Sequence, residues 1–468
     1  MFSKFYSFNK WSLITKIDRT RLLFLWLCIG CLLPSWGTSQ VVLEAYVAEG
    51  LRQNEQLKQA NYQVADSRLA LQSANGLLMP TVEFGSSMMF ASGGRQIEIP
   101  VGDLMNPVYS NLNELNGSNQ FPMIENVSEP FLLNRFQDTR LRVVQPLFNS
   151  DIYYNRGIQK SLVEVAKAQE NTQRQVLVRD IKTAYYSYLQ AYEALDIYES
   201  NLVVLQEVVR FNQARFAENL VTQDEVLRSE YQVEQVKADL AQAKANRETA
   251  QSYFNFLLNR DYSEPILIDS GLSAKVDVLE AKVESGLAQR PEMAQLKAAR
   301  EAQDWEYKMN RANQFLPKIN AVGDVGYQGQ DYKFDDTQDY WMINLGLSWE
   351  LFSGYRRRTA AQRSQIAMDR LNSQQQQLES QIALEVVRSR TNLDAARQQL
   401  NARQRALQAA QRSYQVTESR YRESQVLLLE YLDAQTTLTT AQLELNISKY
   451  LLLAQLAELE RSLASTEG

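Results

Sequence analysis

Apolar residues recur at helical spacing along two long stretches of the chain. In the first half they step by sevens from Ile181, with a second series three residues further on, as in the a and d positions of a coiled coil. A matching series begins at Leu393. The pattern predicts long helices at about 150–216 and 354–421, and about 67 residues at 1.5 Å each would extend roughly 100 Å.

Four short stretches alternate apolar and polar side chains at a period of two. They lie at about 81–91, 138–149, 318–328 and 341–352 and are predicted to be β-strands. Each has about ten residues, the length of a tilted strand that crosses a bilayer. About 46 residues rich in Asn, Pro, Gly and Ser join the first pair, and about a dozen join the second. Polar loops of unequal length on one side are typical of outer-membrane barrels.

The sequence contains an internal duplication with an offset of about 205 positions. The segment that begins at Arg215 returns at Arg420 with the same order of apolar and polar residues. We therefore predict two structural repeats, residues 40–267 and 268–468. Each repeat contains two of the predicted strands and one of the long helices.

The first 39 residues have basic positions followed by an apolar run and small residues, which is typical of a signal peptide cleaved before Gln40. Lipidation of Cys31 is a weaker alternative. Both cysteines, Cys28 and Cys31, lie in this leader, and the chain has no histidine. Thiol and histidine-based catalysis and most zinc sites are thereby excluded. We expect no enzymatic activity, no cofactor and no metal site.

The net charge and the number of strands limit the partners. A formal net charge of -6 does not favour binding to nucleic acid. Four strands cannot close a barrel, and unpaired strand edges are unstable in lipid. Three identical subunits would supply twelve strands. The expected fold is mainly α with a small β part: a homotrimer with a 12-stranded outer-membrane β-barrel, continued by a long periplasmic α-helical barrel.

Three features of the sequence resemble the TolC-like outer-membrane efflux proteins. They are the duplicated order of helices and strands, the paired strand-to-helix junctions at 145–149 and 349–354, and the motif at 430–435. The resemblance covers about 41–463. It implies a passive exit duct in the outer membrane that extends into the periplasm. Its partners would be a periplasmic adaptor and an inner-membrane pump of the RND or ABC type, in tripartite efflux or type I secretion.

The same resemblance implies a constriction where the long helices end, farthest from the barrel. Glu430 and Asp433 lie three positions apart on one helix face, so three copies would form a carboxylate ring at the periplasmic entrance. The alternative is that they are solvated acids at a helix start. Glu225 and Tyr421 fall on family positions that hold the entrance closed. Val426 replaces the family's arginine, which leaves the closing contact undefined.

Two further interpretations stay open at this stage. Arg356, Arg357 and Arg358 follow the last predicted strand, where they would contact lipid headgroups or form a solvated helix start. The whole chain could alternatively be a periplasmic coiled-coil spacer or adaptor that does not cross the membrane. That alternative accounts for the heptads but not for two alternating hairpins. The sequence does not identify the cargo.

Overall fold

The computed structural model describes residues 39–268 and 290–464, and the predicted signal peptide lies outside the described residues up to position 38. The described chain is mainly helical with a small sheet, as the sequence predicted. Its helices are α1 (Ser39–Gln53), α2 (Glu55–Gly76), α3 (Val101–Asn116), α4 (Ser150–Ala217), α5 (Gln223–Leu257), α6 (Pro291–Ala312), α7 (Arg356–Arg422) and α8 (Leu428–Ser462). Its strands are β1 (Thr81–Met89), β2 (Gln96–Ile99), β3 (Val127–Pro130), β4 (Phe136–Phe148), β5 (Lys318–Gln330) and β6 (Asp339–Ser348).

The longest elements are α4 and α7, with 68 and 67 residues. Neither contains a proline, which would remove a helical hydrogen bond and clash with the preceding turn. A short turn connects each to a helix of 35 residues, α5 or α8. Of the helices described, none has both the length and the apolarity that crossing a membrane requires.

The described chain divides into two compact units. Unit 1 contains nearly all of α1, the C-terminal part of α4 and all of α5. It also contains the C-terminal part of α7 and most of α8. Unit 2 contains the strands, α2, α3, α6 and the remaining parts of the long helices. The boundaries fall after Arg52, Asp180, Arg405 and Leu453 and in the interval between 268 and 290.

Unit 1 has an aromatic core. The rings of Tyr46, Tyr185 and Phe254 lie 5.1–6.0 Å apart. The hydroxyl of Tyr185 donates to the carbonyl of Leu267 at 2.9 Å, and the N–H of Leu267 donates to the hydroxyl of Tyr46 at 2.9 Å. The two phenols therefore bury their rings while their polar ends keep hydrogen-bond partners.

Unit 2 contains a four-stranded antiparallel sheet in the order β1-β4-β5-β6. The register unites the four alternating series of the sequence on one face. One row across that face is apolar and exposed on every strand: Phe84, Leu141, Val325 and Trp341. The neighbouring row on the opposite face contains Glu83, Arg142 and Asp324, and Arg142 donates two hydrogen bonds to Asp324 at 2.7 and 2.9 Å. The fourth member of that row is Met342, so three of its four residues are charged, whereas the facing row is apolar throughout.

The connection between β1 and β4 differs from the polar loop expected from its composition. It contains α3 and a two-stranded ladder of β2 with β3. Asparagine and proline, which suggest a loop in sequence, here form part of a folded segment. Pro107 lies inside α3, and Gly117 ends the helix with a left-handed φ of 62°.

The C-terminal end of α8 is capped by a buried arginine in unit 2. Arg290, which directly precedes α6, is 3% exposed. Its Nη1 donates to the carbonyls of Ser462 at 2.9 Å and Arg461 at 3.2 Å, while its Nη2 donates to Glu385 of α7 at 3.1 Å. Helix-terminal carbonyls have no partner within their own helix. Arg290 therefore satisfies the end of α8 and connects it to α6 and α7.

Candidate functional site

The two turns that follow the long helices, residues 218–222 and 423–427, form the candidate site in unit 1, and we call them the helix tips. Both have the same backbone. Asn219 and Ser424 adopt left-handed φ values of 59° and 61°. The next residue in each turn donates its N–H five residues back, at 2.9 Å in the first tip and 2.8 Å in the second. This is the Schellman ending of a helix.

Tyr421, in the last turn of α7, is buried in the described protomer. Its hydroxyl donates to Oδ1 of Asn212 on α4 at 2.6 Å, and Asn212 is completely buried. The Tyr421 ring stacks on Tyr431 of α8 with centroids 4.9 Å apart. The predicted constriction residue Tyr421 therefore joins three helices within one subunit.

A cluster of apolar side chains surrounds Tyr421. Its buried members are Val208, Tyr421, Leu428 and Tyr431. Val426, which stands where the resembling family has an arginine, packs against this cluster and is partly buried. The substitution therefore places an apolar side chain against an apolar surface. An arginine side chain at this position would need a polar partner or solvent.

Arg215 connects the two helix tips. Its Nη2 donates to Oγ of Ser424 at 3.0 Å. Its guanidinium carbon lies 5.8 Å from the centroid of Tyr421 and 5.4 Å from that of Phe211, within the range of cation–π attraction. Arg215, in the last turn of α4, thus contacts both the second helix tip and Tyr421 of α7.

Burial keeps the tyrosines of the tips neutral. Desolvation raises the pKa of Tyr421, and its hydrogen bond with Asn212 acts in the opposite direction. The hydroxyls of Tyr414 and Tyr431 lie 3.0 Å apart, and burial is the largest cause of the raised pKa of both. These hydroxyls remain protonated at neutral pH, where they can donate hydrogen bonds.

The predicted acidic residues occupy different environments. Glu430 and Asp433 are exposed in the first turns of α8, and neither forms an ion pair within the described residues. Glu225, in the first turn of α5, is partly buried, and its negative charge helps to raise the pKa of Tyr421. The structure thus brings Glu225 near Tyr421, while Glu430 and Asp433 are exposed in the single protomer.

The arginine triplet lies at the start of α7. Arg356 and Arg357 donate to the two carboxylate oxygens of Glu350 at 3.0 and 2.7 Å, and Arg357 also donates to the carbonyl of Glu350 at 2.8 Å. Arg358 is exposed. Two of the three arginines therefore fix the link between β6 and α7, which leaves Arg358 and the exposed part of Arg356 available to solvent or lipid.

The sequence of this chain also matches a known protein family. A family model described as outer membrane efflux protein matches residues 138–260 and 283–465, more than half of the chain. The chain belongs to the outer membrane efflux protein family. Membership assigns this efflux protein to the outer membrane, and its structural neighbours are channels rather than enzymes.

Solved channels share the fold of this outer membrane efflux protein. The Vibrio cholerae outer membrane protein VceC has a TM-score of 0.71 and 17% identity, covering 92% of this chain and 97% of that one. The Campylobacter jejuni outer membrane channel CmeC has a TM-score of 0.71 and 16% identity, covering 90% of this chain and 85% of that one.

A curated relative matches part of the sequence. The alkaline protease secretion protein AprF of Pseudomonas aeruginosa is 24% identical over 223 residues, which are 46% of this chain and 46% of AprF. The chain therefore spans about half the length of this relative.

Sequence reasoning missed two of the residues that organise the tips of this efflux protein. Asn212 lies in a helical stretch with many polar residues, and nothing in the sequence distinguishes it from a solvated asparagine. Arg215 opens the duplicated segment, which was the available signal, but its contact with Ser424 depends on how the ends of α4 and α7 pack. A pairing of residues about 200 positions apart requires the tertiary structure.

Proposed function

We propose that three copies of this chain form an outer-membrane exit duct that conducts cargo passively from an inner-membrane pump. The observation that carries the proposal is the four-stranded sheet, which ends at β1 and β6 and has an exposed apolar row on one face. Backbone groups at strand edges must be paired in lipid. Three copies would supply twelve strands, with the apolar face toward lipid and the polar face toward the lumen.

The long helices would continue this barrel into the periplasm. At 1.5 Å per residue, α4 and α7 each extend about 100 Å. Their endings support the two repeats at 40–267 and 268–468, because the same Schellman turn recurs at Asn219 and Ser424. Packed side by side around a threefold axis, the helices would form a hollow α-helical barrel.

The partners of such a duct would be a periplasmic adaptor and an inner-membrane pump of the RND or ABC type. The relative AprF is a secretion protein, which supports type I secretion, whereas the likeness to outer-membrane channels is compatible with efflux. Either type of system, secretion or efflux, is therefore compatible with this chain, and its cargo is not assigned. Energy for transport would come from the pump.

The helix tips would form the periplasmic entrance. Glu430 and Asp433 are exposed in one subunit, so three copies would line the opening with carboxylates that attract cations. Tyr421 and Glu225 would act from within each subunit by fixing the helices behind this ring. At the opposite end of the helices, Arg358 and the exposed part of Arg356 would contact the inner headgroup layer.

A fractionation and conductance experiment tests the duct against the periplasmic spacer. The duct predicts recovery with outer membranes, mobility in gels that changes on heating, and stepwise conductance of the purified protein in planar bilayers. A protein recovered from the soluble periplasmic fraction without channel activity would instead support the spacer. The exposed apolar row of the sheet favours the duct, because a spacer would leave Phe84, Val325 and Trp341 in water.

A further inference from the structure

Helix α3 exposes an apolar stripe in the described subunit. Leu104, Val108 and Leu115 are 69%, 48% and 82% exposed. At 3.6 residues per turn these three positions fall within about 40° around the helix axis. We call them the α3 stripe. Contiguous exposed apolar residues on a folded segment indicate an interaction surface.

Asparagine side chains hold the opposite side of α3. Asn106 donates to the carbonyl of Ile124 and accepts from its N–H, both at 2.9 Å. Asn113 makes the same pair of bonds with Phe121, at 2.8 and 3.0 Å. Each side-chain amide thus takes the place of a peptide group in a neighbouring strand. Since Asn113 is nine residues from Leu104, it lies about 180° away around the helix.

A glycine allows this close approach. A Cβ atom at Gly102 would lie 2.5 Å from the carbonyl oxygen of Ile124, closer than side chains normally come. The main-chain N–H of Asp103 also donates to Asn126 at 3.0 Å, and Asn126 donates back to the Asp103 carboxylate at 3.0 Å. The segment is therefore built so that the polar side of α3 is fixed inward and the α3 stripe points outward.

The strand order indicates what lies next to the α3 stripe in the proposed trimer. The ends of β1 and β4 that bound this segment are at the same end of the sheet as the turn between β5 and β6, residues 331–338. Because β1 and β6 are the two edges, closing the ring brings β1 of one copy beside β6 of the next. The segment that contains α3 then adjoins the β5–β6 turn of the adjacent copy.

That turn has matching chemistry. Tyr332 and Phe334 are 49% and 57% exposed, and Lys333 lies between them. Helix α3 has no basic residue, and of its two acids Asp103 is bonded to Asn126 while Glu114 is exposed. Aromatic side chains can cover the stripe, and Lys333 can approach Glu114. An acidic helix does not favour phosphate-bearing lipid headgroups.

We infer that the α3 stripe docks on the β5–β6 turn of the adjacent copy and forms a subunit contact beyond the barrel strands. The inference rests on the proposed trimer. This contact would add a subunit interface at the outer mouth of the duct, where α3 of each copy would bind the adjacent copy.

Disulfide cross-linking tests this contact directly, because both natural cysteines, Cys28 and Cys31, lie in the predicted signal peptide. Two differently tagged chains are co-expressed, one with Val108→Cys and the other with Phe334→Cys, and outer membranes are oxidised. The inference predicts a reducible dimer that contains both tags. The matched control uses Ser110→Cys in place of Val108→Cys. Ser110 is exposed on α3 about 160° from Val108, so this pair of chains is expected to give no such dimer.

A second variant and an assembly measurement separate the possible failures. Gly102→Ala in the Val108→Cys chain should lower the dimer yield several-fold, because it disrupts the bonds that orient the stripe. Native mass spectrometry of the same samples reports the trimer. An intact trimer without the mixed-tag dimer overturns the α3 contact alone and leaves the stripe to lipid or another partner. Absence of the trimer overturns the proposed function itself.

Discussion

Tyr421 and Asn212 form a buried hydrogen bond of 2.6 Å although 209 positions separate them in the chain. The bond joins the end of α7 to α4, so it connects the two halves of the duplicated sequence at the helix tips. Asn212 is completely buried and Tyr421 nearly so. Removing either partner leaves a buried polar group unsatisfied.

Tyr421→Phe therefore should weaken the helix tips. The loss of a partner for the buried Asn212 oxygen is expected to cost about 1–3 kcal/mol. Thermal unfolding of the purified protein, followed by circular dichroism, should show a lower midpoint. Tyr231→Phe is the matched control, since Tyr231 is 69% exposed. Equal midpoints for the two variants would show that the Tyr421 hydrogen bond does not stabilise the fold.

The raised pKa values of the tip tyrosines predict sensitivity to alkaline pH. Tyr414, Tyr421 and Tyr431 keep their protons in the folded state above the usual tyrosine pKa of about 10. Their contribution to stability is fully present below that pH and is lost as pH rises through the folded pKa. The midpoint temperature of unfolding should thus stay constant up to about pH 10 and decrease as the pH rises further.

The double variant Tyr414→Phe/Tyr431→Phe checks the origin of this loss. Without the two hydroxyls the midpoint should decline less steeply over the same alkaline interval. Tyr231→Phe should follow the unmodified protein. If all three proteins lose stability in parallel, the alkaline sensitivity originates elsewhere in the chain.

The exposed acids of α8 predict block by multivalent cations. Replacing Glu430 with Gln and Asp433 with Asn should abolish cation block in single-channel recordings from planar bilayers, because the carboxylate ring would be neutral. Asp394→Asn, at an exposed acid of α7, should leave the block unchanged. Persistent block in the double variant would assign cation binding to another part of the duct.

Arg290 predicts a large and local effect on stability. It is buried and donates to the last carbonyls of α8 and to Glu385. Arg290→Ala should lower the free energy of unfolding by about 1–3 kcal/mol, because the buried carbonyl of Ser462 loses its donor, whereas Glu385 keeps its ion pair with Arg461. Arg290→Lys keeps the charge without the planar fork and should give a smaller loss. Arg300→Ala, at an exposed position of α6, is the control, and a loss as large as that of Arg290→Ala would contradict the capping role.

The mainly helical fold with a small sheet could be predicted because both signals are periodic. Heptad spacing from Ile181 and alternation at β1, β4, β5 and β6 require only local sequence. The folded connection with α3 could not be predicted in this way. Its order comes from Asn106 and Asn113, whose side-chain amides replace main-chain partners of residues further along the chain. From composition alone, the same residues are predicted to form a loop.

The candidate site was only partly accessible from the sequence. The duplicated segment indicated the helix tips, and the resemblance to the TolC-like proteins pointed to Glu430, Asp433, Glu225 and Tyr421. The contact of Tyr421 with Asn212 depends on how α4 and α7 pack, and a single sequence does not encode that pairing in any local pattern. The carboxylate ring depends further on symmetry between copies and stays a prediction.

In the proposed duct, three copies combine their four-stranded sheets into one closed barrel. Native mass spectrometry of the mature protein, released from a detergent that preserves the outer-membrane assembly, measures this most directly. A closed barrel of twelve strands predicts one dominant species with the mass of three chains. A dominant monomer or dimer under conditions in which the protein still forms channels would contradict it.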